Sequence, residues 1–139
     1  MTYEEKGAWV YLVVTLGTFA AYVGVVLQRA GGEPLTEVAY RGPLLWSVGI
    51  SIGLSIIGRI AFEVAKPSET HKLDARDKDI HRFGEYIGGS VLAVAMVGPF
   101  ALAMLEVDHF WIVNAMYAVF AVSTLVGTVT RLIAYRRGL

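Results

Sequence analysis

The sequence predicts an all-α integral membrane protein: a four-helix bundle of two antiparallel hairpins, with a cytoplasmic amphipathic helix ahead of the third span. Three observations predict it. Four long blocks are rich in aliphatic and aromatic residues, and 55% of the chain is hydrophobic against 17% charged, well beyond the balance of a soluble domain. The charge is gathered rather than spread: residues 59–85 hold 6 of the 12 acidic and 6 of the 12 basic side chains. Glycine, proline and charge mark the ends of the blocks.

The whole chain, residues 1–139, forms a single transmembrane domain on this reading. The first span covers about residues 7–28, uncharged and of a length that crosses a bilayer core as a helix. Glu4 and Glu5 precede it where a signal peptide carries basic residues, so it is expected to be retained. Arg29 closes it, and Gly31, Gly32 and Pro34 break the helix. The second span covers about residues 43–65, from Pro43 to the Lys66-Pro67 stop. Ser47, Ser51, Ser55, Arg59 and Glu63 recur every four residues along it, a polar stripe inside the membrane. Gly49 and Gly53 add a small-xxx-small pair, the usual mark of helix contact in lipid. Arg59 and Glu63, one turn apart, are expected to pair with each other.

The third span, about residues 86–105, has no charge and carries Gly98-Pro99, which predicts a kink. Residues 106–109 are a tight turn that forces the third and fourth spans into a hairpin. The fourth span covers about residues 110–135, with Asn114 expected to bond to a neighbouring helix. Spans two and four also echo each other: each enters with a tryptophan, Trp46 or Trp111, and leaves with Arg59-Ile-Ala-Phe62 or Arg131-Leu-Ile-Ala-Tyr135.

Lysine and arginine set the expected orientation. Six lie between Arg59 and Arg82, none in the last turn and three at the C-terminal end, which predicts the cell (inner) membrane with both termini and the 66–85 segment in the cytoplasm. Net charge is zero and argues against nucleic acid as a partner. With no cysteine, thiolate metal sites and cysteine nucleophiles are excluded. There is no His-Glu-x-x-His, no phosphate-binding glycine loop and no serine triad, so neither an enzyme nor a cofactor is expected.

Placed on one helix, residues 71–87 separate into two faces. Leu73, Arg76, Ile80, Phe83 and Ile87 form one, suited to the membrane domain; His71, Asp74, Asp77, His81 and Glu85 form the other. Asp77, His81 and Glu85 fall one turn apart and could hold a divalent cation, or form part of a solvated face. Asp74, Arg76, Asp77, His81 and Glu85 are the candidate partner-binding residues.

Asp74-Ala-Arg-Asp77, followed by Ile80 and Gly84-Glu85-x-Ile87, resembles the Asp-Glu-Arg-Asp-x-x-Ile signature of an uncharacterised family of small prokaryotic four-span membrane proteins. Ala75 stands where that pattern has glutamate. The resemblance implies the four-span topology, a cytoplasmic place for the motif and a setting beside small helix-turn-helix regulators; it implies no activity. Three functions stay open: a regulatory or scaffolding protein whose charged helix meets a soluble cytoplasmic regulator; a homo-oligomeric transporter or channel using the Ser51, Ser55, Arg59, Glu63 stripe; or a divalent-metal sensor. All have the lipid bilayer as a partner.

Overall fold

The computed structural model describes residues 3–65 and 75–137. They form α1 (Tyr3–Ala30), α2 (Arg41–Ala65), α3 (Ala75–Ala95), α4 (Val97–Met104) and α5 (His109–Arg137), with one 3₁₀ turn at Leu35–Glu37 and no strand among the described residues. With α3 and α4 counted together, four helical stretches are long and apolar enough to cross a membrane. The fold is the expected all-α bundle of membrane-spanning helices.

Local chemistry sets the ends. Gly31 and Gly32, at φ 51° and 90°, take the left-handed conformation that stops α1 and that other residues adopt only at a cost. The 3₁₀ turn then carries the chain across to α2. Pro43 sits in the first turn of α2, which starts two residues earlier than its proline suggested; the first turn needs no intrahelical N–H bonds, so proline is tolerated there. At the end of α4 the Val107 N–H reaches the Leu102 carbonyl at 3.3 Å and the Glu106 N–H reaches Ala103 at 3.1 Å. Glu106 adopts φ 55° to close that motif. One residue after Val107, the Asp108 carboxylate accepts the Phe110 N–H at 2.9 Å and caps α5. The turn between the third and fourth spans is as tight as its four residues required.

The third span takes up the polar segment and keeps the expected kink. The described part of the polar segment, Ala75 to Glu85, runs straight into the span: it is the first three turns of α3, uninterrupted through Gly84. Residues 66–74, including Lys66, His71, Leu73 and Asp74, lie outside the described residues. The interruption falls at Met96, three residues before Pro99, because the proline ring has no N–H and crowds the carbonyl one turn back. α4 resumes at Val97 with the Phe100 N–H bonded to the Met96 carbonyl at 3.1 Å.

Each hairpin packs on itself, α2 along α1 and both α3 and α4 along α5, and the hairpins meet where α1 packs on α5. Among the described residues α2 and α3 share no more than a marginal contact. The bundle is therefore open along one side, and a chain of hollows occupies the opening.

Small residues serve helix contact, but not where the second span suggested. Cβ atoms added at Gly49 and Gly53 would meet nothing within 4 Å. The close approach is between α3 and α5: a Cβ at Gly84 would lie 2.3 Å from Arg131 Cγ and 2.9 Å from the Gly127 carbonyl, and one at Gly88 would lie 3.0 Å from the Ser123 carbonyl. With only hydrogen on these Cα atoms the backbones come close enough for dispersion to hold two helices that lipid would otherwise solvate equally well. Gly84→Ala should cost about 2 kcal/mol or more, because α3 must back away from α5. Gly53→Ala should be neutral or stabilise by up to about 1 kcal/mol through helix propensity. Thermal unfolding in detergent compares the two, and equal effects would contradict the assignment of the contact.

Candidate functional site

The polar groups of the bundle fall into two layers joined by the open side. The inner layer lies where α1, α2 and α5 meet. Ser47, buried on α2, donates to the Thr18 carbonyl of α1 at 3.2 Å. That uses its one proton, so the hydrogen bond it shares with Tyr117 of α5 has the phenol as donor. Tyr22 of α1 donates to the Asn114 side-chain oxygen, and the Asn114 amide donates to its own helix at Phe110. The expected interhelical bond of Asn114 is thus made, to α1. Beyond this layer Tyr22, Val26, Ala30, Val38 and Phe110 form an apolar plug, with Tyr40 edge-on to Phe110.

The second layer is a belt of charge at the end of the bundle that holds both termini. Its first links join α1 to α2. Arg59 donates to Glu4 at 2.9 Å, and Lys6 meets Glu63 at 3.3 Å with side chains only 5% and 17% exposed. Arg59 and Glu63, one turn apart on α2, thus each reach across to the neighbouring helix. In the same belt Arg136 of α5 pairs with Glu5 at 3.4 Å.

The charged start of α3 closes the belt. Its buried residues are Asp77, Ile80, Gly84 and Gly88, a stripe that straddles the two faces expected of it. Phe83 is left outside, nearly half exposed. The glycines decide this, since α3 turns its smallest surface toward α5. Asp77 comes inward with them and accepts from the Tyr135 hydroxyl at 2.8 Å, which makes its burial tolerable. Arg76 donates to the Tyr135 carbonyl at 3.0 Å and lies over the Tyr135 ring.

His81 and Glu85 stay exposed and meet at 3.0 Å through His81 Nε2. The other ring nitrogen, Nδ1, faces Arg131 Nη1 at 3.2 Å. A guanidinium only donates, so Nδ1 accepts and the ring proton sits on Nε2, toward Glu85. Asp77 is thus spent on Tyr135 while His81 is held between Glu85 and Arg131. Among the described residues no three His, Cys, Asp or Glu side chains are grouped to hold a metal ion. The expected set of Asp77, His81 and Glu85 is not assembled as one. Of the candidate partner-binding residues, Asp77 is turned away from solvent, Arg76, His81 and Glu85 remain accessible, and Asp74 lies outside the described residues.

Three hollows run between these layers along the open side. The innermost, about 350 Å³, lies at the midpoints of α1, α2 and α5. Thr15, Thr18, Ser51, Ser55, Tyr117 and Thr124 line it between Phe19, Val48, Ile52, Ile56 and Phe120. A second, about 430 Å³, lies against α3 and α5 between His81 and Leu92 and shares Tyr11, Phe120 and Thr124 with the first. The third, about 210 Å³, opens into the charge belt and is lined by Glu4, Gly7, Tyr11, Ser55, Arg59 and Arg131. The two arginines that the repeat between spans two and four aligned thus share one hollow. Ser51 and Ser55, singled out as an intramembrane stripe, line the cleft; Ser55 Oγ is buried with no hydrogen-bond partner among the described residues. Arg131 and Tyr11 were not singled out as site residues, and only the arginine had a signal, its place in that repeat.

Another hollow, about 530 Å³, lies at the far end between α1 and α2. Its only charged lining residue, Arg29, donates to the Ala39 carbonyl at 3.2 Å and so holds the connector.

Compared with known proteins, the chain matches no family model, no curated protein and no solved structure. The site is therefore characterised by its own geometry. Breaking the buried Lys6–Glu63 pair on one side only strands a charge: Lys6→Met or Glu63→Gln should each lower stability by about 3 kcal/mol. The double variant Lys6→Met/Glu63→Met should recover most of the loss. A double-mutant cycle by thermal unfolding in detergent measures this, and additive losses would mean the two side chains are not a pair.

Proposed function

We propose that this small multi-pass membrane protein binds a small solute or amphiphile in the cleft between α2 and α3, and moves it between the membrane interior and the charged end. On this reading it works by binding and passage rather than catalysis. It sits in the cell membrane with both termini and the charged belt in the cytoplasm, the side favoured by six basic residues between Arg59 and Arg82.

The observation that carries the reading is the 350 Å³ hollow at the helix midpoints. Hydroxyl groups at that depth either bond back to their own helix, as Thr18 does, or face an interior or a pathway. Here they alternate with aromatic and aliphatic walls in a space of small-molecule size. Transport sites commonly lie near the bilayer midplane. The opening along α2 and α3 supplies a lateral entrance from lipid, and the hollow beside Arg59 and Arg131 supplies an exit toward water.

A second reading, regulation or scaffolding through a soluble partner, draws on the outward side of α3, where Lys78, Asp79 and Arg82 are exposed together. It predicts that Lys78→Ala/Asp79→Ala/Arg82→Ala abolishes recovery of a specific soluble partner from cell extracts, while unchanged recovery speaks against it.

The chain has no cysteine, so single cysteines can be placed without background. Ser51→Cys, Ser55→Cys and Thr124→Cys should react with a charged, water-borne thiol reagent in intact membranes at least about tenfold faster than Leu45→Cys or Ile57→Cys, which face outward into hydrocarbon. Labelling from one side of sealed vesicles also reports orientation. Equal, slow reaction at all five positions would remove the cleft as a path.

A further inference from the structure

Resting on the cleft reading, we infer that the cytoplasmic mouth of the cleft, at Arg131, is a binding site for the anionic head group of an amphiphile, above all a lipid phosphate. Three observations converge on it.

First, among the described residues Arg131 has no carboxylate as a direct partner: Glu4 and Glu85, which line the same hollows, are engaged by Arg59 and His81. The contacts of Arg131 among the described residues are the neutral Nδ1 of His81 at 3.2 Å and the Thr128 hydroxyl at 3.5 Å. The other arginines and lysines with described side chains in the belt's inner ring behave differently: Arg59 meets Glu4 and Lys6 meets Glu63. A half-buried guanidinium at a membrane boundary retains donors suited to the paired oxygens of a phosphate or carboxylate.

Second, the guanidinium stands between two hollows, lining both the one at the belt and the one against α3. Its aliphatic stem lies over Gly84, so closely that a Cβ there would meet Cγ at 2.3 Å. The missing side chain at Gly84 is what lets the arginine lie in the cleft. Third, Ser55 Oγ is buried in the same belt hollow and has no partner among the described residues. A hydroxyl so placed offers the donor an oxyanion takes.

The rest of the cleft suits an acyl chain. From the belt inward, the walls pass from Tyr11 to Ile52, Ile56 and Phe120, and the side between α2 and α3 is open to lipid. A lipid entering sideways would keep its phosphate at the depth of Arg131 and Arg59, where a head group already lies, and place one chain against Phe120. No charge need cross hydrocarbon for this.

The test uses the full-length protein in nanodiscs and two fluorescent lipids of the same chain length, one phosphatidylglycerol and one phosphatidylcholine. Phosphatidylglycerol should be held about tenfold more tightly, and Arg131→Gln should remove that preference. Arg131→Lys should restore part of it, and Ser55→Ala should weaken binding about threefold. Arg136→Gln, at the same end but outside the cleft, should leave the preference intact and so separates the site from bulk surface charge.

Equal affinity for the two lipids, or an unchanged preference in Arg131→Gln, would overturn the assignment. Displacement by inorganic phosphate at millimolar concentration, with the two lipids bound equally, would assign the site to a free anion and overturn the amphiphile. Because the Arg131 stem also lies against Gly84 of α3, Ser55→Ala, on the opposite wall, gives an independent reading. Labelling at Ser51→Cys and Ser55→Cys tells the two levels apart. If they react while lipid preference is absent, the cleft stands and the head-group site fails; if they do not react, the cleft reading fails as well.

Discussion

The joint between α1 and α5 is what the rest of the bundle depends on. α2 packs along α1 and α3 along α5, so the hairpins are held together through this seam. In hydrocarbon, apolar packing alone gives little net drive to associate, since lipid tails solvate a leucine as well as another helix does. The seam is therefore built from groups that lipid cannot satisfy: Tyr22 with Asn114, and Tyr117 with Ser47, backed by the Thr18 carbonyl. Phe19 and Tyr22 set their rings against Tyr117 around those bonds. Separating the hairpins would expose three phenol and amide groups to a medium with no partners for them.

With the seam fixed at one side, the opposite side of the bundle is left open, and the polar lining of the cleft follows. Hydroxyls such as those of Thr18, Ser123 and Thr130 bond back to carbonyls of their own helices at 2.7–2.8 Å, which lets them sit at depth without a partner from another helix. Ser55 is an exception, and its position beside Arg59 and Arg131 gives the exception a place in the cleft.

Much of this was legible in the residues. Four spans, their pairing into hairpins, the tight turn at Glu106–His109 and the outward reach of Asn114 all follow from hydropathy, breakers and turn chemistry, which act over a few residues. What could not be read is which surface of a helix meets which neighbour. Gly49 and Gly53 have the same spacing as Gly84 and Gly88, yet within the described residues of the chain only the latter pair meets a neighbouring helix. The charged start of α3 misled in a related way: sorting by polarity put Asp77 on a solvent face, whereas close backbone approach and one tyrosine hydroxyl brought it inside. Arg59 and Glu63 fit an i,i+4 pair, and nothing in that spacing points to Glu4 and Lys6, the α1 partners that lie more than fifty residues away. Local spacing names possible partners; topology chooses among them.

The crossing of those two pairs has a consequence for how the chain is made. Arg59 and Glu63 on α2 have their counter-ions, Glu4 and Lys6, on α1, so the first hairpin carries a closed charge account at its membrane boundary before any of the second hairpin exists. At the same edge Glu5 also meets Arg136, which lies almost at the end of the chain. That last contact is in effect a latch, closed when synthesis of the final helix is complete.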